Sequence, residues 1–220
     1  MLTIAIAKGR MQVSALALLA RAGICLSEDA VNSRRLAIMD ESGQYRFIFV
    51  KPADVPVYVE HGIADCGVVG RDVLLESEAD LLLPLDLDIA RCRMVVAAPD
   101  PEAMTNVQGM IRVATKYSQI ARSHFGSRGI PVEIIQLSGS VELAPALGLA
   151  DLIVDLVETG RTLRENGLAV VEEIAESTGR LVVNRASYQL KAEEVSRLLG
   201  SLKPEVVSAR DLQDLQDEQD

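Results

Sequence analysis

The run Asp155-Leu156-Val157-Glu158-Thr159-Gly160-Arg161-Thr162 places a carboxylate near the end of an apolar stretch and a glycine between two threonines just beyond it. Those residue types suit a phosphate next to a sugar. At a strand-to-helix turn, successive backbone N–H groups can converge on one anion, and the helix dipole adds to the attraction. Gly160 lets the main chain approach phosphate oxygens, while Thr159 and Thr162 supply hydroxyl donors. Asp155, at the carboxyl end of the strand, can accept bonds from sugar hydroxyls. A capped helix start after a buried strand would use the same residues, because Thr and Gly are ordinary there.

A second anion site is suggested by Ala7-Lys8-Gly9-Arg10, where an apolar N-terminal run ends and a helical pattern begins. Gly9 relaxes the turn, and Lys8 and Arg10 can reach over the end of the sheet, although two solvated cations at a loop fit the same residues. Further cations stand at Arg34, just before a β-like run, and at Lys51, at a strand-to-helix junction. Thr115 and Lys116 lie at another strand end, where they could join a cleft. Other chemistries lack their residues. The sequence has no Gly-x-Ser-x-Gly elbow, no Gly-Lys-Ser/Thr ending and no metalloprotease histidine pair. Only His61 and His124 are present, and no pair of histidine and cysteine has zinc-ligand spacing, which argues against a structural zinc site.

Composition narrows the class. The 220 residues carry a formal net charge of −10, and nothing forms a basic, aromatic-interleaved face, which argues against nucleic-acid binding. Residues 205–220 hold six acids against one base, so the body is only modestly acidic and an anionic ligand needs a locally positive pocket. The apolar runs are too short or too interrupted to span a bilayer, and the first residues read as a strand rather than a secretory leader. Cys25, Cys66 and Cys92 are odd in number and flanked by apolar residues, as buried thiols in a reducing cytoplasm would be.

These groups must be positioned by an alternation of short β-rich runs and amphipathic stretches, which predicts an α/β protein with mainly parallel sheets. Strands are expected near 2–6, 36–39, 45–50, 66–69, 81–86, 93–98, 111–115, 132–136, 151–156, 168–175 and 180–184. Helices are expected near 11–22, 52–61, 71–77, 117–128, 140–147, 159–166 and 191–202. Ala98-Pro99-Asp100-Pro101 is the strongest internal break. The expected organisation is two α/β lobes with a cleft between them: residues 1–90 plus 179–204 as one lobe, 91–178 as the second, and 205–220 as an acidic tail, frayed or weakly helical.

Ala7-Lys8-Gly9-Arg10, Ala114-Thr115-Lys116-Tyr117, Gly139-Ser140-Val141-Glu142-Leu143-Ala144-Pro145 and Asp155 to Leu163, taken in order, resemble the ATP phosphoribosyltransferases, in their short form. The resemblance runs from about residue 2 to residue 203. It implies a fold like the type II periplasmic binding proteins, with ATP on the first lobe and 5-phosphoribosyl 1-diphosphate on the second. It also implies the reaction: the 5-phosphoribosyl group passes to N1 of the adenine of ATP with release of diphosphate and with Mg2+, as the first step of histidine biosynthesis in the cytoplasm. The magnesium ligands stay unassigned.

By the same resemblance, the turn Glu158, Thr159, Gly160, Arg161 and Thr162 takes the 5′-phosphate, and Asp155 and Glu142 face the ribose hydroxyls. Lys8, Gly9 and Arg10 lie near the diphosphate and ATP, Arg34 matches an active-site arginine, and Thr115 and Lys51 are further binding positions. Arg10 and Arg34 are expected to neutralise the leaving group. Two positions depart from the family pattern: Ala7 where Ser or Pro often stands, and Lys51 where an arginine often stands, which removes a bidentate contact. The short form implies a catalytic homodimer in a hetero-oligomer with a synthetase-like regulatory subunit, and weak or absent histidine inhibition of the chain alone. A solute-binding module and a subunit kept only for assembly are the rival readings.

Overall fold

The computed structural model describes residues 1–27, 36–102, 104 and 109–217, with 209–217 described by backbone alone. The chain divides into two compact units, Met1–Ala90 with Thr178–Asp220, and Arg91–Ser177. The Pro99-Asp100-Pro101 break falls inside the second unit, between two of its strands.

In the first unit, β1 (Leu2–Ala7), β2 (Ala37–Met39), β3 (Tyr45–Val50), β4 (Cys66–Gly70), β5 (Leu82–Asp86) and β11 (Gly179–Val183) form a sheet in the order β2-β3-β1-β4-β11-β5. The two-residue period of β1 sets both faces. Ile4 and Ile6 pack with Phe47, Phe49, Val68 and Leu181 against the helix α1 (Arg10–Arg21). Ala5 and Ala7, together with Val69 and Val182, face α2 (Asp54–Glu60) through Val55 and Val59. Small residues on that face let the helix come close; a Cβ on Gly67 would lie 2.7 Å from Val55 Cγ1 and 2.9 Å from Val59 Cγ2. The helix α3 (Arg71–Ser77) follows β4 directly.

In the second unit, β6 (Cys92–Ala98), β7 (Ile111–Thr115), β8 (Val132–Gln136), β9 (Leu152–Val157) and β10 (Ala169–Ser177) take the order β10-β6-β9-β7-β8. One face, with Met94, Val96, Val113, Leu152 and Val154, is covered by α4 (Ser118–Ser127) through Ile120 and Phe125. The other face carries Val95, Ala97, Ala114, Ile153 and Val157, and packs on segments that include α5 (Leu143–Ala146) and α6 (Arg161–Glu165).

The expectation of mainly parallel sheets is corrected. β1 is parallel to β3 and β4, and β7 to β8 and β9, but the five other pairings are antiparallel. The hairpin β2–β3 and the strands β6 and β11 supply the antiparallel pairs, and residue periodicity carries no information about the direction of a partner.

The helices expected at 140–147 and 159–166 are short, covering Leu143–Ala146 and Arg161–Glu165. Sequence reading missed α7 (Arg185–Leu190), whose start was legible: Asn184 is its N-cap, and the Asn184 side chain accepts from the Ser187 N–H at 3.0 Å. The last helix, expected to stop at 202, runs as α8 (Ala192–Asp217) through Pro204. Its apolar stripe explains the continuation. Val195, Leu198, Leu202 and Val206 are each 3% exposed or less and join the cluster containing Leu18 and Leu19 of α1, so burial beyond the proline offsets the one backbone bond that proline removes.

Candidate active site

β9 is entered through a clamped turn. Arg112 of β7 donates from Nη2 to Asp151 Oδ1 at 2.7 Å and from Nη1 to the Gly148 carbonyl at 2.9 Å, while Asp151 N–H donates to the Arg112 carbonyl at 2.8 Å. The guanidinium holds the Asp151 carboxyl below its ordinary range. This fixes the start of β9 next to β7, with Thr115 opposite Val154 in a parallel ladder.

Asp155 then falls, by strand alternation, on the face of Ile153 and Val157. It stands opposite Val95 of β6, is half-buried, and accepts the Leu156 N–H at 2.9 Å on Oδ1. Glu142, also half-buried, belongs to the same side of the sheet. Its neighbours Val141 and Ala144 share one buried cluster with Ile153, Val157 and Leu163. Ser140, two residues before Glu142, has φ 50°, a left-handed conformation uncommon for a residue with a side chain. The two carboxylates and the turn after β9 are thus mounted on one apolar layer.

That turn runs through exposed Glu158 and Thr159 to Gly160, at φ 70° and ψ 9°. The positive φ is why glycine stands there. The Arg161 N–H lies 3.5 Å from Thr159 Oγ1, Thr162 is exposed, and Leu163 is buried as the anchor. Arg161 Nε donates to Glu165 Oε1 at 2.8 Å, so that side chain is engaged within its own helix. Because α6 has only five residues, its macrodipole adds little, and attraction for an anion rests on the N–H groups and hydroxyls of the turn itself.

Thr115 is placed differently from the exposed threonines. It is fully buried; its hydroxyl donates to the Val154 carbonyl at 2.7 Å and accepts the Tyr117 N–H at 2.8 Å. The hydroxyl shapes the end of β7. Beyond it, Lys116 Nζ sits 4.7 Å from the centre of the Tyr117 ring.

In the first unit, Lys8 and Lys51 follow the carboxyl ends of neighbouring parallel strands, where Ala7 is opposite Val50 and the Lys8 N–H donates to the Val50 carbonyl at 2.9 Å. Both side chains are exposed. Gly9, at φ 91° and ψ −146°, occupies a region that is essentially restricted to glycine, and Arg10 opens α1. Arg34 lies outside the described residues. The structure therefore groups Lys8, Gly9, Arg10 and Lys51 at the carboxyl ends of two adjacent strands in one unit, and Glu142, Asp155 and residues 158–162 on one layer in the other.

Among the described residues no group of three or more His, Cys, Asp or Glu is arranged to hold a metal ion. A Mg2+ held by substrate phosphates with one or two carboxylates needs no such group. Sequence reading also missed Arg164, whose Nη1 donates to the Thr159 carbonyl at 3.1 Å. Its signal was a long donor four positions after the glycine of the turn.

Residues 51–204 match the family model described as HisG: ATP phosphoribosyltransferase. The ATP phosphoribosyltransferase of Sorangium cellulosum (strain So ce56) is 50% identical over 208 residues, covering 94% of this chain and 97% of the relative. Among solved structures, the ATP phosphoribosyl transferase (HisG:HisZ) complex from Thermotoga maritima matches with a TM-score of 0.81 and 39% identity, over 94% of this chain and 100% of that one. The periplasmic aliphatic sulphonate binding protein SsuA from Escherichia coli shares the fold alone, with a TM-score of 0.61 and 14% identity over 97% of this chain and 75% of its own. The periplasmic-binding-protein-like class expected from the sequence is the class of these neighbours.

Proposed function

This chain belongs to the ATP phosphoribosyltransferase family, and on that premise we propose how its residues divide the reaction. The enzyme transfers the 5-phosphoribosyl group from 5-phosphoribosyl 1-diphosphate to N1 of the adenine of ATP, the first step of histidine biosynthesis. The N1 lone pair forms the new bond to C1 of the ribose, and the bond from C1 to the diphosphate oxygen breaks with its electron pair leaving on the diphosphate. Positive charge develops on the sugar and negative charge on the departing oxygens. No strong base is required, so the protein's contribution is alignment and charge neutralisation.

The observation that carries the residue assignment is the glycine-hinged turn 158–162, mounted with Asp155 and Glu142 on one buried layer. The N–H groups of that turn and the hydroxyls of Thr159 and Thr162 take the 5′-phosphate, with Glu158 and Arg161 flanking it. Asp155 and Glu142 orient the ribose through its hydroxyls. Thr115 acts on the site by fixing the strand end at Tyr117 rather than by offering its hydroxyl. In the first unit, Lys8, Gly9 and Lys51 bind ATP and diphosphate oxygens, and Arg10 and Arg34 neutralise the leaving group. The departing diphosphate is where a bound Mg2+ would disperse developing negative charge.

The Thermotoga relative is a HisG:HisZ complex. By the same division of labour, this chain is the catalytic subunit, a homodimer within a hetero-oligomer that contains a synthetase-like regulatory subunit. No described helix is long and apolar enough to cross a membrane. The proposed location is the cytoplasm, a reading that the substrates support. The test is to mix the chain, Mg2+, ATP and 5-phosphoribosyl 1-diphosphate, with and without the regulatory partner. Diphosphate release with a change in adenine absorbance is expected. No product under either condition would overturn the assignment in favour of ligand binding or assembly alone.

A further inference from the structure

Arg164 holds both peptide groups that flank Gly160. Its guanidinium donates from Nη1 to the Thr159 carbonyl at 3.1 Å, and its backbone N–H donates to the Gly160 carbonyl at 3.1 Å. In a trans peptide the carbonyl and the following N–H point in opposite directions. Fixing the Thr159 oxygen therefore fixes the Gly160 N–H on the other side, and fixing the Gly160 oxygen does the same for the Arg161 N–H. Gly160 has no Cβ to resist rotation of the peptide before it, and a flip would turn a carbonyl oxygen toward a bound anion where an N–H should be. The guanidinium crowds the same place: a Cβ on Gly160 would lie 3.1 Å from Arg164 Nη1. The other arginine of the segment, Arg161, is occupied with Glu165 and does not make this contact.

We propose that Arg164 is a positioning residue for the phosphoribosyl donor, a latch that keeps the Thr159–Gly160 peptide turned so that its N–H serves the 5′-phosphate. This rests on the reading of the 158–162 turn as the donor phosphate site. The latch is set before the donor arrives, so its loss weakens donor binding and leaves the chemistry of the bound complex and the affinity for ATP in place.

The experiment compares Arg164→Met, Arg164→Lys and Thr162→Ala with the parent enzyme in steady-state kinetics, donor binding by calorimetry without ATP, and thermal unfolding. Arg164→Met is expected to raise the donor KM and Kd about tenfold or more, the range for losing a charge-assisted bond, with kcat, the KM for ATP and Tm nearly unchanged. Arg164→Lys, which keeps a long donor, is expected to recover most of the loss. The fold-loss should be the same at low and high salt, because the lost bond is internal. A loss that vanishes at high salt identifies a direct ionic contact with phosphate and overturns the latch. Equal losses in kcat, both KM values and Tm identify a general folding role and also overturn it. If Thr162→Ala weakens the donor while Arg164→Met does not, the latch fails and the phosphate site stands. If neither variant changes donor binding, the phosphate assignment itself falls.

Discussion

The Thr115 hydroxyl donates to the Val154 carbonyl at 2.7 Å across the parallel pair β7–β9, one residue before Asp155. The same oxygen accepts the Tyr117 N–H, so one buried atom ties the end of β7 to the strand that carries Asp155, the carboxylate proposed to face the ribose. Thr115→Val replaces it with a methyl group of nearly equal volume and leaves that N–H without its partner. A loss of about 1–3 kcal/mol in stability is expected, with a raised KM for the ribosyl donor. Thr115→Ser keeps the oxygen and should retain most of both. Denaturant unfolding and donor kinetics on the pair check this.

Arg10 opens α1 directly after a glycine-only backbone conformation at the carboxyl end of β1. Its assigned work is at the diphosphate, where charge grows only as the bond breaks. Arg10→Ala should therefore lower kcat by roughly 10²- to 10³-fold, and Arg34→Ala should act in the same direction. Unchanged turnover in steady-state assays would remove either residue from that role.

Asp65 is 5% exposed and receives Lys191 Nζ at 2.8 Å on both oxygens, Ser187 Oγ at 2.7 Å and the Thr3 N–H at 2.8 Å. Burial pushes its carboxyl up, but the bonds from Lys191, Thr3 and Ser187 outweigh burial and hold it below the ordinary value of 3.8. The folded state binds this proton more weakly than the unfolded chain. The stabilisation is therefore present above 3.8 and is lost as pH falls below that value toward the folded-state pKa. Asp65→Asn should flatten this acid limb in thermal melts recorded across pH 2–5 and cost roughly 1–3 kcal/mol at neutral pH.

Gly67 faces α2 with no room for a side chain, because its Cβ position is 2.7 Å from Val55 Cγ1 and 3.1 Å from Val182 Cγ2. Gly67→Ala must push the helix off the sheet, at a cost of about 1–3 kcal/mol. Pairing it with Val55→Ala makes space and should recover part of that loss, which a double-mutant unfolding cycle measures directly.

How much of this was legible beforehand depends on the distance over which each feature is encoded. The strands at 45–50, 111–115 and 132–136 agree to the residue with the observed ones, because β-rich runs bounded by turn residues are local signals. The path of α8 past Pro204 was not legible, since it depends on Val206 reaching a cluster built by α1, nearly two hundred residues away. Strand direction was not legible for the same reason.

In the candidate site, Gly160 and Asp155 are singled out by type and spacing. The engagement of the Thr115 hydroxyl by Val154, and of the Thr159 carbonyl by Arg164, depends on where carbonyl oxygens point once the strands are paired. No residue pattern records that. A threonine at a strand end looks the same in sequence whether its hydroxyl is free or committed.

The placement of β11 between β4 and β5 also sets an order of assembly on the ribosome. Residues 91–177 emerge as one uninterrupted stretch, whereas the sheet of the other unit stays split until Val183 has been made. Until then Cys66–Gly70 presents an unpaired edge, and Leu82–Asp86 lacks its neighbour. The strand translated last thus closes the sheet whose first strand was translated at the start, and a nascent chain stalled before it would expose that open edge to its neighbours on the polysome.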